Sequence, residues 1–435
     1  YQSFSAFALN PYYIDLDLLL GDGLLAPGEA DAVLWGRRAD RVDYAALYRR
    51  REGILRRAFE RFTPDRSFKD FCAKHSGWLA DYALFMAIKR KKGGVSWLEW
   101  EDALRFRDPD ALARCQDTLG RDVEYHSFVQ YLAFNQWGAV RAGVDNLGIG
   151  VIGDMPIYVA MDSADTWANS ELFQLDEQRR PLRVSGCPPD PFSAGGQLWG
   201  NPLYRWDVME QTGYAWWLSR LRENLSLYDV VRIDHFRGIE SYYSIPSGAR
   251  DAGGGEWVRG PGLSFINAVN TGLPGANIIA EDLGYLTVEV RALLKAAGYP
   301  GMKILQFAFD SREASNYMPY SFDRNCVVYT GTHDNTTSRD WFKSARPEDA
   351  AMAVDYFGIK DVRDGNWAFI RGALSSIANL AIIPMQDYLD LDKRGRMNTP
   401  ATLGGNNWCW RMLPGAAGSA LAGKIRRLTQ INGRL

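Results

Sequence analysis

From about residue 150 onward the chain repeats one pattern: a short apolar run bounded by turn residues, followed by a stretch with helical spacing. The runs lie at 150–153, 230–233, 277–280, 302–307, 326–330 and 380–384, and stretches such as Val288-Glu289-Val290-Arg291-Ala292-Leu293-Leu294 fall between them. Short apolar runs of this kind read as strands buried on both faces, and their alternation with helices is the rhythm of βα units around a parallel sheet. The expected fold class is therefore α/β, with a (β/α)8 barrel as its architecture. Six runs are two short of a closed barrel, so the first two barrel strands are expected upstream of Tyr1.

Several of the runs meet an acid. Asp154 follows the first, Asp234 ends Val230-Val231-Arg232-Ile233-Asp234, Glu281 ends Ile278-Ile279-Ala280-Glu281, and Asp334 closes Tyr329-Thr330-Gly331-Thr332-His333-Asp334. One acid after a strand is commonly the N-cap of the next helix. Four of them, at the ends where α/β folds build their sites, point instead to one polar site above a sheet. Chemistry that needs convergent carboxylates and no metal is glycosyl transfer.

The spacing assigns roles. Arg232 and Asp234 are two apart on one strand and share a face, so the guanidinium favours ionised Asp234, as a nucleophile requires. Glu281 follows an apolar run that favours its protonated form, as a general acid requires. His333 and Asp334 are suited to hydrogen-bond sugar hydroxyls as charge develops.

Other signals have plainer readings. Gly148-Ile149-Gly150-Val151-Ile152-Gly153 matches a dinucleotide fingerprint in letters but lies in and before a strand, where no phosphate-binding helix can open. The basic runs Tyr48-Arg49-Arg50-Arg51 and Lys89-Arg90-Lys91-Lys92 read as solvated helix faces, and a net charge of −2 gives no field for nucleic acid or an anionic membrane. No apolar stretch reaches the ~20 residues of a membrane span. Five cysteines, at 72, 115, 187, 326 and 409, form no Cys-x-x-Cys pair, which argues against a zinc site or disulfide framework and for a reducing, cytoplasmic setting. His75 and His126 read as ordinary helix residues.

The domain reading is a single catalytic barrel over 1–435, with a helical insertion at 39–148 and an active-site loop insertion at 155–228. The loop is rich in Pro, Gly and aromatic residues, and its rings are suited to covering the apolar faces of sugars.

The four segments Gly153-Asp154-Met155-Pro156, Val231-Arg232-Ile233-Asp234-His235-Phe236-Arg237-Gly238, Ile279-Ala280-Glu281-Asp282-Leu283-Gly284 and Gly331-Thr332-His333-Asp334-Asn335-Thr336 resemble the signature regions of the amylomaltases. These are the 4-alpha-glucanotransferases of glycoside hydrolase family 77, in the alpha-amylase clan. Pro188-Pro189-Asp190-Pro191-Phe192-Ser193 with Trp199-Gly200-Asn201-Pro202 resembles that family's active-site loop, although Cys187 and Pro191 stand where members often carry other residues. Pro384-Met385-Gln386-Asp387 and Asn406-Asn407-Trp408 match its C-terminal part.

The resemblance implies Asp234 as nucleophile, Glu281 as acid/base and Asp334 as transition-state stabiliser. It implies Asp154, Arg232, His333, Tyr1, Asp190, Trp199, Asn201, Asp310 and Asn335 as substrate-binding residues, with no cofactor and no metal. The implied donor is a malto-oligosaccharide or a glucan derived from starch or glycogen, and the acceptor is glucose or a malto-oligosaccharide. A retaining alpha-glucan hydrolase, or a glucan-binding protein without catalysis, remain the alternatives that the residues alone leave open.

Overall fold

The computed structural model describes residues 3–31, 33, 35–189, 195–284, 286–312 and 315–435. The chain is α/β. Its strands are β1 (Ile152–Pro156), β2 (Arg183–Cys187), β3 (Gln197–Pro202), β4 (Val230–Asp234), β5 (Ser241–Pro246), β6 (Glu256–Arg259), β7 (Ile278–Ala280), β8 (Gly301–Ile304), β9 (Cys326–Tyr329) and β10 (Leu380–Ile382). They form a parallel sheet β1-β4-β7, a parallel sheet β10-β9-β8 and an antiparallel sheet β3-β2-β5-β6. Two compact units divide the chain: the first comprises 1–33, 48–281 and 286–297, the second 34–47, 282–285 and 298–435.

In the first unit, the register of the parallel sheet decides which side chains share a face. Asp154 pairs with Arg232, Met155 with Ile233 and Pro156 with Asp234, while Arg232 pairs with Ile279 and Ile233 with Ala280. Side chains alternate with a period of two, so Asp154, Arg232, Asp234 and Ile279 stand on one face. Met155, Val231, Ile233 and Ala280, on the other, are all 2 % exposed or less. The first apolar run therefore begins later and reaches further than its sequence implies. Asp154 lies within β1, not beyond its end.

Helices fill 44–145. Tyr44–Arg61, Arg66–Lys74, Ser76–Lys91 and Pro109–Asp145 are the long ones. Their starts follow local chemistry: Asp65 accepts from the Phe68 amide, and Asp108 accepts from the Ala111 amide with Pro109 in the first turn. Ser76–Lys91 buries Trp78, Leu79, Tyr82, Phe85 and Ile88 against Trp97, Trp100 and Trp167. Each such ring or aliphatic chain contributes roughly 1.5–3 kcal/mol when fully buried.

That layer also fixes the segment after β1. The Trp97 indole donates to the Met161 carbonyl at 2.7 Å, and Lys89, 6 % exposed, pairs with Asp162 at 2.6 Å.

The segment 155–228 is not a structureless loop. It carries β2 and β3 and the helices Ala164–Ala168, Trp206–Gln211 and Ala215–Leu227. Asn201, 8 % exposed, donates to the Val159 carbonyl at 2.9 Å, and buried Arg220 donates to the carbonyls of Pro156 and Ile157, so the antiparallel sheet and the third helix grip the same post-β1 segment.

In the second unit, β8, β9 and β10 pair in parallel, Met302 with Val327 and Leu380 with Val327. The run that begins at Met302 leaves the strand after Ile304 and turns through Leu305–Phe307. Val328, Leu305, Phe309, Phe342 and Phe369 form the core against helices Ser338–Ser344, Pro347–Phe357 and Gly365–Ser375. Asp387, 2 % exposed, accepts from the Thr330 hydroxyl at 2.6 Å and from both the amide and the hydroxyl of Ser338. That network fixes both ends of the turn after β9.

Candidate active site

On the polar face of β1-β4-β7, Arg232 is the hub. Its Nη1 lies 2.5 Å from Asp154 and its Nη2 lies 2.9 Å from Asp234. Burial works against the charge of this guanidinium. The fields of Asp154, Asp234 and Glu281 outweigh that effect and hold its pKa above the ordinary arginine value. The sequence-level expectation that Arg232 and Asp234 share a face is met, and the guanidinium is divided between two acids rather than devoted to one.

Glu281 follows β7 and is still on the ladder, its amide donating to the Ile233 carbonyl at 3.0 Å. It lies two residues after Ile279 and so returns to the face that carries Arg232 and Asp234. It is 8 % exposed, and its Oε2 accepts from the His235 amide at 2.7 Å. His235 reaches that position in the left-handed region, with φ 53° and ψ 46°, which turns the chain back over the end of β4. The Phe236 amide then donates to the Glu281 carbonyl at 3.0 Å.

The role of His235 is therefore carried by its backbone. Its imidazole packs edge-on against Trp199, with ring centroids 4.8 Å apart, and burial pushes its pKa down to about 3, with Arg237 adding to the effect. Sequence reading saw a histidine beside an acid and missed the amide. The left-handed turn that aims it has no signature in residue type.

Trp199 also donates to Gln197 at 3.1 Å and lies beside Tyr158, at 6.3 Å between centroids. Asn201 is committed to the Val159 carbonyl, as described above, and so acts on the site through the backbone it holds.

In the second unit, Asp334 sits on the turn after β9. The Asn335 carboxamide oxygen accepts from both the amide and the hydroxyl of Thr332 at 2.9 Å and closes that turn. Gly331 leaves room for the Gln306 side chain, whose amide nitrogen would lie 2.6 Å from a Cβ at this position. Asn398 donates to Asp334 Oδ1 at 2.7 Å, Arg396 donates to the Asp334 carbonyl at 2.6 Å, and the Asn398 amide donates to the His333 carbonyl at 3.0 Å. His333 Nε2 lies 3.5 Å from Asp334, and its ring lies 5.1 Å from Trp408.

Arg396 and Asn398 are the partners of Asp334 that sequence reading missed. They lie more than sixty residues from the acid they orient, in a segment with no periodic pattern. Asp310, also in this unit, is engaged by Arg312 through its guanidinium and its amide, which holds the carboxyl down at about 2. Tyr1 and Asp190, with the middle of the Pro188–Ser193 loop, lie outside the described residues.

The first unit thus brings together two acids on neighbouring parallel strands, one tied to a guanidinium and one to an amide, with a third acid sharing the same guanidinium. Such an arrangement can hold one carboxylate ionised while a second, differently solvated, handles a proton.

Comparison with known proteins gives a consistent result. The family model for 4-alpha-glucanotransferase of glycoside hydrolase family 77 matches residues 1–416. A 4-alpha-glucanotransferase of Clostridium butyricum is 44 % identical over 438 residues, covering all of this chain and 90 % of that protein. One from Synechocystis sp. is 44 % identical over 444 residues, covering all of this chain and 87 % of that protein. Among solved structures, the amylomaltase from Streptococcus agalactiae in complex with acarbose superposes with a TM-score of 0.96 at 36 % identity, covering all of this chain and 88 % of that one.

Proposed function

The chain belongs to the 4-alpha-glucanotransferases of glycoside hydrolase family 77, and from that premise we propose how its own residues carry the reaction. The protein is a 4-alpha-glucanotransferase, an enzyme that moves a 1,4-alpha-glucan segment from one chain to another. Its donor is a malto-oligosaccharide or a glucan from starch or glycogen, and its acceptor is glucose or a malto-oligosaccharide.

Asp234 attacks the anomeric carbon while Glu281 protonates the departing glycosidic oxygen. Glu281 then takes a proton from the acceptor hydroxyl, and the acceptor oxygen displaces Asp234. Two inversions at one carbon retain the configuration, and the mechanism needs the two carboxyls about 5–5.5 Å apart. The observation that carries this reading is the register: Asp234 and Glu281 end adjacent parallel strands on one face, with Arg232 beside Asp234.

Arg232 favours the ionised nucleophile and Asp154 shares that cation. Asp334, oriented by Asn398, is the transition-state stabiliser, and His333 is its neighbour in sugar binding. Trp199 offers a ring face, and Asn201 positions the segment after β1. Asn335 shapes the turn that carries Asp334. Asp310, Tyr1 and Asp190 complete the substrate-binding set implied by resemblance.

We further propose that the strands of the two parallel sheets belong to a (β/α)8 barrel, with 39–148 and 155–228 as its insertions. The support is that each sheet is parallel and carries acids at its carboxyl ends. A reducing cytoplasm is the proposed setting, in keeping with five cysteines that form no Cys-x-x-Cys pair.

Incubation with maltotriose tests the reaction. Glucose together with a ladder of longer dextrins supports transfer, whereas shorter products alone would mean hydrolysis. Glu281→Gln should lower turnover at least ~1,000-fold while leaving binding intact, and full activity in that variant would remove Glu281 from its role.

A further inference from the structure

In the second unit, the loop that carries His333 and Asp334 spans 331–337, between Thr330 just after β9 and Ser338 at the start of a helix. Thr330 and Ser338 are both fully buried. The two ends of the loop are gripped from both neighbouring strands. After β8, the Gln306 amide donates to the Thr330 carbonyl at 3.3 Å, and its carboxamide donates to the Thr336 carbonyl at 2.8 Å. After β10, Asp387 sits in the short helix Met385–Tyr388. Its Oδ2 accepts from the hydroxyls of Thr330 and Ser338 at 2.6 and 2.7 Å, and its Oδ1 accepts from the Ser338 amide at 2.8 Å.

Closing such a loop does not by itself demand a buried charge. Asn335 closes its middle through Thr332, and Thr337 caps the following helix by accepting from the Asp340 amide, both with neutral groups. Asp387 is a buried acid, and burial pushes its pKa up even against three donors. An ionised carboxylate accepts on two oxygens, so it can tie three donors from the two ends of one loop into a fixed geometry. Asn398 directs the Asp334 side chain from outside the loop. Asp387 fixes the backbone from which that side chain springs.

Rigidity of this kind matters to a group that meets developing charge, because it acts best when already in place. A displacement of about 1 Å far from the reacting atoms can cost ~100-fold in rate. We propose that Asp387 is a positioning residue of the reaction: by joining Thr330 to Ser338 it holds the loop that presents Asp334. This rests on the reading of Asp334 as the transition-state stabiliser.

Steady-state kinetics with maltotriose test it. Asp387→Ala should lower kcat about 100-fold with KM within about threefold. Asp387→Asn keeps an acceptor for the Ser338 amide and a donor to which both hydroxyls can turn, so it should restore kcat to within about fivefold of the parent. The defect of the alanine variant should persist with maltosyl fluoride as donor, whose leaving group needs little protonation. Recovery with the fluoride would place the defect at the proton donor and overturn the proposal. So would parental kcat in Asp387→Ala with a lowered melting temperature, which is the signature of a role in folding alone.

A double-mutant cycle separates this proposal from the reading beneath it. If Asp387 acts through Asp334, adding Asp387→Ala to an impaired Asp334→Asn protein should cost less than about threefold in kcat. Losses that multiply in full would overturn the positioning role and leave Asp334 in its own. Ordinary kcat in Asp334→Asn alone would overturn the stabiliser reading itself, and the proposal with it. Should Asp387→Ala fail to fold, the isosteric Thr330→Val removes one of the three ties, with kcat expected to fall about tenfold at a KM within about threefold. Undiminished kcat there overturns the proposal.

Discussion

The acids of β1 and β4, Asp154 and Asp234, and the acid after β9 are held by different forces. Asp154 and Asp234 are held by charge, through a guanidinium 9 % exposed in its side chain. Asp334, more open at 39 % in its side chain, is held by a neutral carboxamide from Asn398 and by a turn that Asn335 closes. The first arrangement gathers two carboxylates around one cation. The second sets the direction of a carboxylate, which is what the proposed role of Asp334 in hydrogen-bonding a sugar requires.

Four experiments press on that contrast. The largest effect should come from Asp234→Ala, with kcat down at least ~10,000-fold and the fold retained, because the covalent step loses its nucleophile. Retention of ordinary activity would show that another acid attacks.

Next in size, Arg232→Leu leaves Asp154 and Asp234 facing each other without their shared cation. We expect a loss of about 3–5 kcal/mol in denaturant titration, largely restored by adding Asp154→Asn. If the single variant unfolds at the parental midpoint, charge is not what holds this face.

A smaller effect should follow in the second unit. Asn398→Ala removes one donor to a carboxylate, so kcat should fall by roughly 10- to 100-fold with KM for maltotriose within about threefold. Thermal stability should barely change. A large fall in stability with intact kcat would assign Asn398 to folding rather than to orientation.

The smallest effects concern pH and two buried groups of the first unit. Burial pushes His126 down to about 3, so between pH 6.5 and 3 the unfolded chain binds a proton that the folded one refuses. Stability is lost as pH falls through that window. Burial pushes Asp165 up to about 6, so between pH 6 and 3.8 the folded chain binds the proton first, and stability grows as pH falls. The two slopes oppose each other, each at most about 1.4 kcal/mol per pH unit. His126→Phe should make the parental slope between pH 6 and 4 more favourable to acid, and Asp165→Asn less. Identical slopes in all three proteins would refute both assignments.

Much of this was legible in the residues. The six strands of the parallel sheets announce themselves because strands covered on both faces must be continuously apolar, and Asp234 and Glu281 stand out where those runs stop. The antiparallel sheet did not announce itself. Arg183-Val184-Ser185-Gly186-Cys187 and Gln197 to Pro202 mix Gly, Pro and polar residues, and Gly186 is needed because a Cβ there would lie 2.1 Å from the Gln197 carbonyl oxygen. Close backbone approach erases the alternation that normally marks a strand. Asn398 and Arg396 were hidden for another reason: orientation from a distant segment leaves no local pattern, and no spacing rule connects residue 398 to residue 334.

The single guanidinium divided between two acids has one more consequence. Two carboxylates share the one cation, so even with Glu281 protonated the surface awaits its guest with surplus negative potential built in. A glucosyl carbon turning cationic as its bond to oxygen breaks meets dipoles already in place, and none of the surroundings has to reorganise at the moment of reaction.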